Sequence, residues 1–323
     1  MVRPYRPKDA PGVVDLWNRT VRAEAGGNDW YVEENALSEA RLKRIAANPN
    51  FDPEGTFVHE EQGRIAGYAR AVVKTTPSYE GEPLAERPGY LEGLVVDRAL
   101  RRRGLGSELL ERAESYVRSK GKGTVKVSRY SPAIAGLSML PDCPGLRFLV
   151  KRGYKAEPFQ MQLELRFADF RLRDEVVQAR DRLRREGVHV RYYEERDRDS
   201  FVALQESHFP HWWHSIYRPN LERDDPLPVL VAVDGDRVVG FIGLVHVSSE
   251  GRAGFTPGTD PDYRRRGIGT VLVNLWAAEV KERGAVESRI ATGTTNYPAQ
   301  HIYFGMGYRK LGEFTSNLTK QLS

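Results

Sequence analysis

The chain has 323 residues, 40% hydrophobic and 29% charged, with a net charge of +5. That is too long for one ordinary core and suits two domains of soluble globular composition. The length of the apolar runs excludes a membrane span, and the single cysteine, Cys143, excludes an intrachain disulfide or a cysteine-built zinc site.

The N-terminal stretch MVRPYRPKDA has no apolar core, so no secretory signal is expected there, and a cytoplasmic setting fits. The modest positive charge permits an anionic ligand without requiring nucleic acid. Residues 8–20 then read as a helix, and 56–60, 65–73 and 90–96 as strands, with Glu61-Gln62-Gly63 as a hairpin connection. Between them, GGNDWYVEEN (26–35) carries Trp30, Tyr31 and two glutamates and reads as a pocket wall or a loop. LRRRGLG (100–106) opens a helix with apolar spacing of three and four that ends at Gly121. Residues 124–128 are a strand candidate, 128–145 is irregular, and KRGY (151–154) follows.

The charged stretch 167–187 has an apolar stripe of Val176, Val177, Ala179 and Leu183, and reads as a connecting helix that stops at Gly187. A second helix is expected at 196–207, and strands at 229–233, 238–247 and about 252–259, with Asp234-Gly235-Asp236 as a turn. YRRRGIG (263–269) opens a helix ending at Gly284, followed by a strand at 287–292 and GMGY at 305–308.

The two halves repeat one unit. Arg264 lies 163 positions after Arg101, and Leu109, Val117 and Gly121 recur at the same spacing as Leu272, Val280 and Gly284. The repeat is a whole domain, not a short solenoid unit. Helix, hairpin strands, strand, helix, strand, helix, strand makes each half a mixed, mostly antiparallel α/β sandwich. The expected domains are 1–165 and 188–323, joined by a linker helix within 166–187.

Three arginines at a helix start are electrostatically misplaced, because the first turn carries unpaired N–H groups and partial positive charge. They make sense if a strongly negative ligand sits there. Strand, tight turn and helix N-terminus present several N–H donors to an anion, the first glycine permits backbone conformations closed to other residues, and arginine suits phosphate oxygens. The Gly-Lys-Ser/Thr ending of a P-loop and the three-glycine dinucleotide pattern are both absent.

Arg101-x-x-Gly104-x-Gly106 and Arg264-x-x-Gly267-x-Gly269, each opening a helix after an antiparallel strand, resemble the acyl-CoA pyrophosphate loop of the GNAT acetyltransferases. The whole chain resembles a tandem GNAT protein of the mycothiol synthase-like kind. The resemblance implies an acetyl-CoA-dependent N-acetyltransferase acting by direct transfer, through a tetrahedral intermediate, on an amine of a small molecule or peptide. It implies cofactor contacts from Val96, Arg101, Arg102, Arg103, Gly104, Leu105, Gly106 and Ser107 in the first half. In the second half it implies Thr259, Arg264, Arg265, Arg266, Gly267, Ile268, Gly269, Thr270 and Asn296.

The same resemblance makes Tyr303, five residues before Tyr308, a general acid for the leaving thiolate. Five residues before Tyr154 stands Leu149, which has no proton to give, so the second half is expected to hold the activity and the first to be degenerate. Glu92 occupies a position where the family often carries a base, and the second half has no carboxylate on the matching strand, 254–259. A base there must come from elsewhere or through a water chain; His246 is one option, and it also reads as a core or edge histidine. Asn296 also reads as a helix N-cap and Tyr303 as a core aromatic.

In SHFPHWWHSIYRP (207–219), His211, Trp212, Trp213, His214 and Tyr217 are candidates for the acceptor wall. Their aromatic faces suit a cation and their imidazoles suit a proton, although packing of a lid explains the aromatics equally. No metal site is expected, because Pro210 breaks the histidine run. The remaining expectations are no nucleic-acid or membrane partner, and a monomer or homodimer. A non-catalytic acyl-CoA sensor is the alternative function.

Overall fold

The computed structural model describes residues 1–77, 81–127 and 139–322. Most of the irregular stretch expected at 128–145, with Ser128, lies outside them. Two compact units form: Met1–Gln160 with Gly312–Ser323, and Met161–Leu311. The chain enters the second unit within one strand and leaves it within another, so the first unit is discontinuous in sequence.

In the first unit the strands are β1 (Val2–Pro4), β2 (Thr56–Glu61), β3 (Arg64–Val73), β4 (Gly89–Val96), β5 (Thr124–Val127) and β6 (Lys155–Ala156). The chain's last strand, Leu318–Gln321, inserts between β5 and β6 and completes a seven-stranded sheet. It is held there by antiparallel pairing of Leu318 with Val127 and of Thr319 with Lys155, and by the Lys320 ammonium on Glu114 at 2.8 Å.

Helix α1 (Ala10–Glu24) covers one face of this sheet, and α2 (Asp29–Asn35) and α3 (Glu39–Ala46) follow it. Residues 26–35 are thus largely helical, with Trp30 and Tyr31 buried. Helix α4 (Leu105–Ser119) covers the other face, and α5 (Pro144–Lys151) comes later. Tyr68 of β3 packs with Val13 and Leu16 of α1, whereas Ala69 packs with Leu105 and Leu109 of α4. Burial on both faces explains why β3 reads as a continuous apolar run and not as an alternation.

The second unit repeats the plan. Its strands are β7 (Gln160–Arg166), β8 (Val188–Tyr192), β9 (Leu230–Asp234), β10 (Arg237–Gly243), β11 (Arg252–Ala253), β12 (Thr256–Thr259), β13 (Glu287–Gly293) and β14 (Arg309–Phe314), which leaves the last strand of the chain as β15. They form two four-stranded sheets, β12-β10-β9-β8 and β11-β13-β7-β14. Helix α6 (Asp174–Arg185) is the charged segment 167–187 in part; its Val176 and Leu183 join the core of this unit. Helices α7 (Arg198–His208), α8 (Pro210–Trp212) and α9 (Arg218–Leu221) precede β9, and α10 (Ile268–Glu282) and α11 (Tyr297–Gly305) complete the unit.

Counting from β1 and from β8, and taking β11 and β12 as one interrupted strand, the fourth strand of each unit parts from the fifth (β5 or β13) at the same place. Among the described residues, β4 pairs in parallel with β5 at Gly89 and Tyr90 alone, and β11 with β13 at Arg252 and Ala253 alone. Beyond that point Glu92 is the bulged residue opposite the step from Arg70 to Ala71. In the second unit, pairing passes from β13 to β10 across Gly254 and Phe255.

Candidate active site

The two arginine loops have one geometry. Asp97 and Asp260 turn the chain, each carboxylate accepting from the N–H two residues on, Ala99 at 3.0 Å and Asp262 at 2.9 Å. Arg102 (φ 67°) and Arg265 (φ 61°) take the left-handed conformation, as do Gly104 (φ 86°) and Gly267 (φ 91°) at the N-caps of α4 and α10. Left-handed arginine is strained and recurs here in both copies. It curls the backbone so that the first N–H groups of a 15-residue helix lie at the loop mouth.

The first arginine of each triplet reaches back to the end of the preceding strand. Arg101 Nε donates to the Val96 carbonyl at 3.1 Å, and Arg264 Nε to the Thr259 carbonyl at 3.4 Å. Arg101 also binds Glu24 of α1 at 2.9 Å. Arg266 reaches Glu186 at 3.4 Å, and Arg182 Nη2 donates to the Arg266 carbonyl at 3.3 Å. Arg102, Arg103 and Arg265 make no ion pair among the described residues and supply the uncommitted charge.

The second glycine of each loop is not demanded by packing. A Cβ on Gly106 would sit 3.7 Å from Phe148 and Val96, and one on Gly269 would sit 3.6 Å from Ile302, both ordinary contacts. Glycine at these positions keeps side chains away from a helix N-terminus, a setting that suits an anion such as a diphosphate. Leu105, Ser107, Ile268 and Thr270 fall in the first turns beside these glycines.

A cavity of about 560 Å³ opens at the first loop. Its floor is the free end of β4, Leu94 to Val96, with Arg101, Arg102, Gly104, Gly106 and Ser107 at one end and Trp17, Val21 and Tyr31 at the other. Leu149 and Cys143 also line it. Cys143 caps α5, its sulfur accepting from the Leu146 N–H at 3.3 Å, and burial pushes its thiol pKa up. Arg152 donates to Ser107 and lies over the Phe148 ring, 5.3 Å from its centroid.

The profile of the Acetyltransferase (GNAT) family matches residues 23–134 and 189–308, one match to each loop and its surroundings. The chain belongs to the GNAT family. Two curated relatives match one stretch each. A mycothiol acetyltransferase of Amycolatopsis mediterranei is 32% identical over 102 residues, which is 31% of this chain and 33% of that protein. N-acetyltransferase family 8 member 2 of Rattus norvegicus is 29% identical over 97 residues, 28% of this chain and 43% of that one. The chain therefore spans less than half the length of each.

Solved GNAT structures match nearly the whole fold. A GCN5-related N-acetyltransferase from Sphaerobacter thermophilus aligns over 99% of this chain and 95% of its own at a TM-score of 0.66 and 16% identity. A tandem GNAT protein from the clavulanic acid biosynthesis pathway aligns over 99% and 98% at 0.57 and 16%. Both units are thus GNAT folds in tandem.

In the second GNAT unit Tyr303 lies on α11, 7% exposed, with its ring 5.7 Å from Phe255 and 5.6 Å from Tyr308. Its hydroxyl makes no hydrogen bond among the described residues, and burial alone pushes its pKa up to about 12. Tyr308, by contrast, gives its proton to Ser288 Oγ at 2.8 Å. Asn296 is the N-cap of α11, its side chain accepting from the Ala299 N–H at 3.4 Å. His246 is exposed and lies beyond β10, which ends at Gly243, short of the expected 247.

Glu92 is fully buried and ion-paired with the equally buried Arg70 at 3.2 Å, and Arg70 also lies over the Phe51 ring. It does not line the cavity at the loop. In the acceptor segment Trp213 and Tyr217 are core residues around Phe201 and Phe241. The Tyr217 hydroxyl donates to the Thr256 carbonyl at 2.7 Å, tying this segment to β12. Trp212 stacks on Phe209 at 5.4 Å, half-buried, while His211 is exposed and His214 half-buried. The signal for the inward pair was the spacing of four between Trp213 and Tyr217, which puts both on one helix face.

Proposed function

We propose that the chain is an acetyl-CoA-dependent N-acetyltransferase acting on an amine of a small molecule or peptide, with the chemistry in the second half. The observation that carries this is Tyr303: a tyrosine only 7% exposed whose hydroxyl has no hydrogen-bond partner among the described residues, on the helix beside the parted strands, where the first half has Leu149. Acetyl-CoA supplies the activated acetyl group. Gly267, Gly269 and the α10 N-terminus hold its diphosphate, with Arg265 adding charge. A phenol whose pKa is near 12 keeps its proton at neutral pH and can deliver it to the departing thiolate. The backbone N–H groups at Gly254 and Phe255, where the strand changes partners, suit an oxyanion.

The base does not have an obvious seat. Glu92 is held by Arg70 in the other unit, and His246 is exposed beyond its strand. An acceptor that arrives as the neutral amine, or loses its proton through water to His246, fits this arrangement. His211 and His214 lie outside the core of this segment, Trp212 packs against its edge on Phe209 and Phe241, and together they form the wall an amine meets. The mycothiol acetyltransferase relative supports a small-molecule acceptor.

The cavity at the first loop favours a second reading, in which that half holds an acyl-CoA without turning it over and acts as a sensor. Acetyl transfer to a panel of amines by the full chain tests both. Turnover lost in Gly267→Glu and kept in Gly104→Glu supports catalysis in the second half; the reverse pattern moves it to the first, and no turnover with retained acetyl-CoA binding supports the sensor.

A further inference from the structure

We infer that Phe255 sets the length of acyl group the second half accepts, confining it to acetyl and similarly short donors. This rests on the placement of the thioester beside Tyr303. Phe255 stands at the one point where the fourth strand changes partners, between Ala253, paired with β13, and Thr256, paired with β10. Its ring lies 4.6 Å from Trp276 and 5.7 Å from Tyr303. A thioester within reach of the Tyr303 hydroxyl therefore has the Phe255 ring as its neighbour.

The wall behind Phe255 does not yield. Trp276 is fully buried, its indole N–H donates to the Leu244 carbonyl at 3.2 Å, and its other side meets Phe167. Extra methylenes on the acyl chain must displace an aromatic ring that rests on a second, hydrogen-bonded ring. Overpacking of this kind is destabilising, and shortening the blocking side chain relieves it. In the first unit the residue 163 positions earlier is Glu92, drawn away by Arg70, so no ring occupies the corresponding point.

Isothermal titration on the full chain tests this without an acceptor. Gly104→Glu silences the first loop, and the parent and Phe255→Ala chains are titrated with acetyl-CoA and hexanoyl-CoA, with thermal melts to confirm folding. The expected result is hexanoyl-CoA bound about tenfold or more weaker than acetyl-CoA by the parent, and within about threefold by Phe255→Ala. Should Phe255→Ala melt early, Phe255→Leu replaces it, with a smaller gain expected. Equal affinity for both donors in the parent, or an unchanged preference in the folded variants, overturns the assignment of Phe255 alone. A folded parent that binds neither donor overturns the second-half site as well.

Discussion

Arg101 and Arg264, 163 positions apart, make the same hydrogen bond: each Nε donates to the backbone carbonyl of the residue five places earlier, Val96 or Thr259. The opening arginine of each triplet is thus a latch between strand end and loop, and the proposed function leaves the diphosphate to the helix N–H groups and the later arginines. Losing this latch loosens the cradle. Arg264→Ala is expected to weaken acetyl-CoA binding at the second loop by about tenfold, the worth of one hydrogen bond from a charged donor. Arg264→Lys should restore little, because an ammonium lacks the planar fork. Titration calorimetry in the Gly104→Glu background reads this directly.

Tyr303→Phe keeps the ring among Phe255 and Tyr308 and removes only the hydroxyl. Turnover should fall by about 10²- to 10⁴-fold with acetyl-CoA affinity unchanged. Burial raises the Tyr303 pKa to about 12, so its acid form persists through the neutral range. Loss of activity from this group is expected only as pH rises toward that value. An alkaline limb below about pH 9 that vanishes in Tyr303→Phe would show an unshifted or lowered tyrosine instead.

Each unit carries a two-pronged arginine–aspartate pair of the same form, six residues apart. Arg3 grips Asp9 at 2.8 and 2.9 Å, and Arg191 grips Asp197 at 2.6 and 2.8 Å. The arginine hydrogen bonds hold both aspartate pKa values below the usual carboxylate range. A lowered folded pKa contributes stability that is complete above the unfolded value of about 3.9 and lost as pH falls through the folded one. Asp197→Asn should therefore melt earlier at pH 7, with a deficit of about 2 kcal/mol. The deficit should shrink below about pH 4, as followed by circular dichroism.

Leu318–Gln321 lies inside the seven-stranded sheet of the first unit, with a partner strand on each side. Deleting residues 316–323 uncovers two strand edges and leaves Glu114 without Lys320. The expected outcome is a chain that aggregates or loses its first-unit fold, seen as protease sensitivity within residues 1–160. A truncated chain with unchanged melting would contradict the pairing. The same insertion makes a separately expressed first half a poor test of activity.

Glu92→Gln removes one partner of a fully buried ion pair and strands Arg70 beneath Phe51. The cost should be about 3–5 kcal/mol, and the double change Arg70→Met with Glu92→Leu should cost much less. Chemical denaturation measures both. Equal destabilisation by the single and double changes would show that the pair's packing matters and its charge does not.

Local chemistry explains what was legible beforehand. The doubled loops carry their geometry in glycine and arginine, and the apolar spacing from Leu105 to Val117 and from Ile268 to Val280 is that of α4 and α10. Tyr303 was visible as a tyrosine, but its neighbours were not, since Phe255 and Trp276 meet it only through tertiary packing. The exchange of strands was invisible for the same reason: nothing in TSNLTKQLS records that its partners are 124–127 and 155–156. The strand expected at 252–259 breaks at Gly254 and Phe255 because its two ends pair with different neighbours, which no periodicity encodes. Residues 26–35 hid α2 behind two glycines and a short length.

The most direct measurement is titration of acetyl-CoA into the intact chain and into the double variant Gly104→Glu with Gly267→Glu. Paired diphosphate cradles require binding by the intact chain and none by the folded double variant, with each single variant losing the site on its own loop. A double variant that binds as tightly as the intact chain, or an intact, folded chain that does not bind, would contradict it.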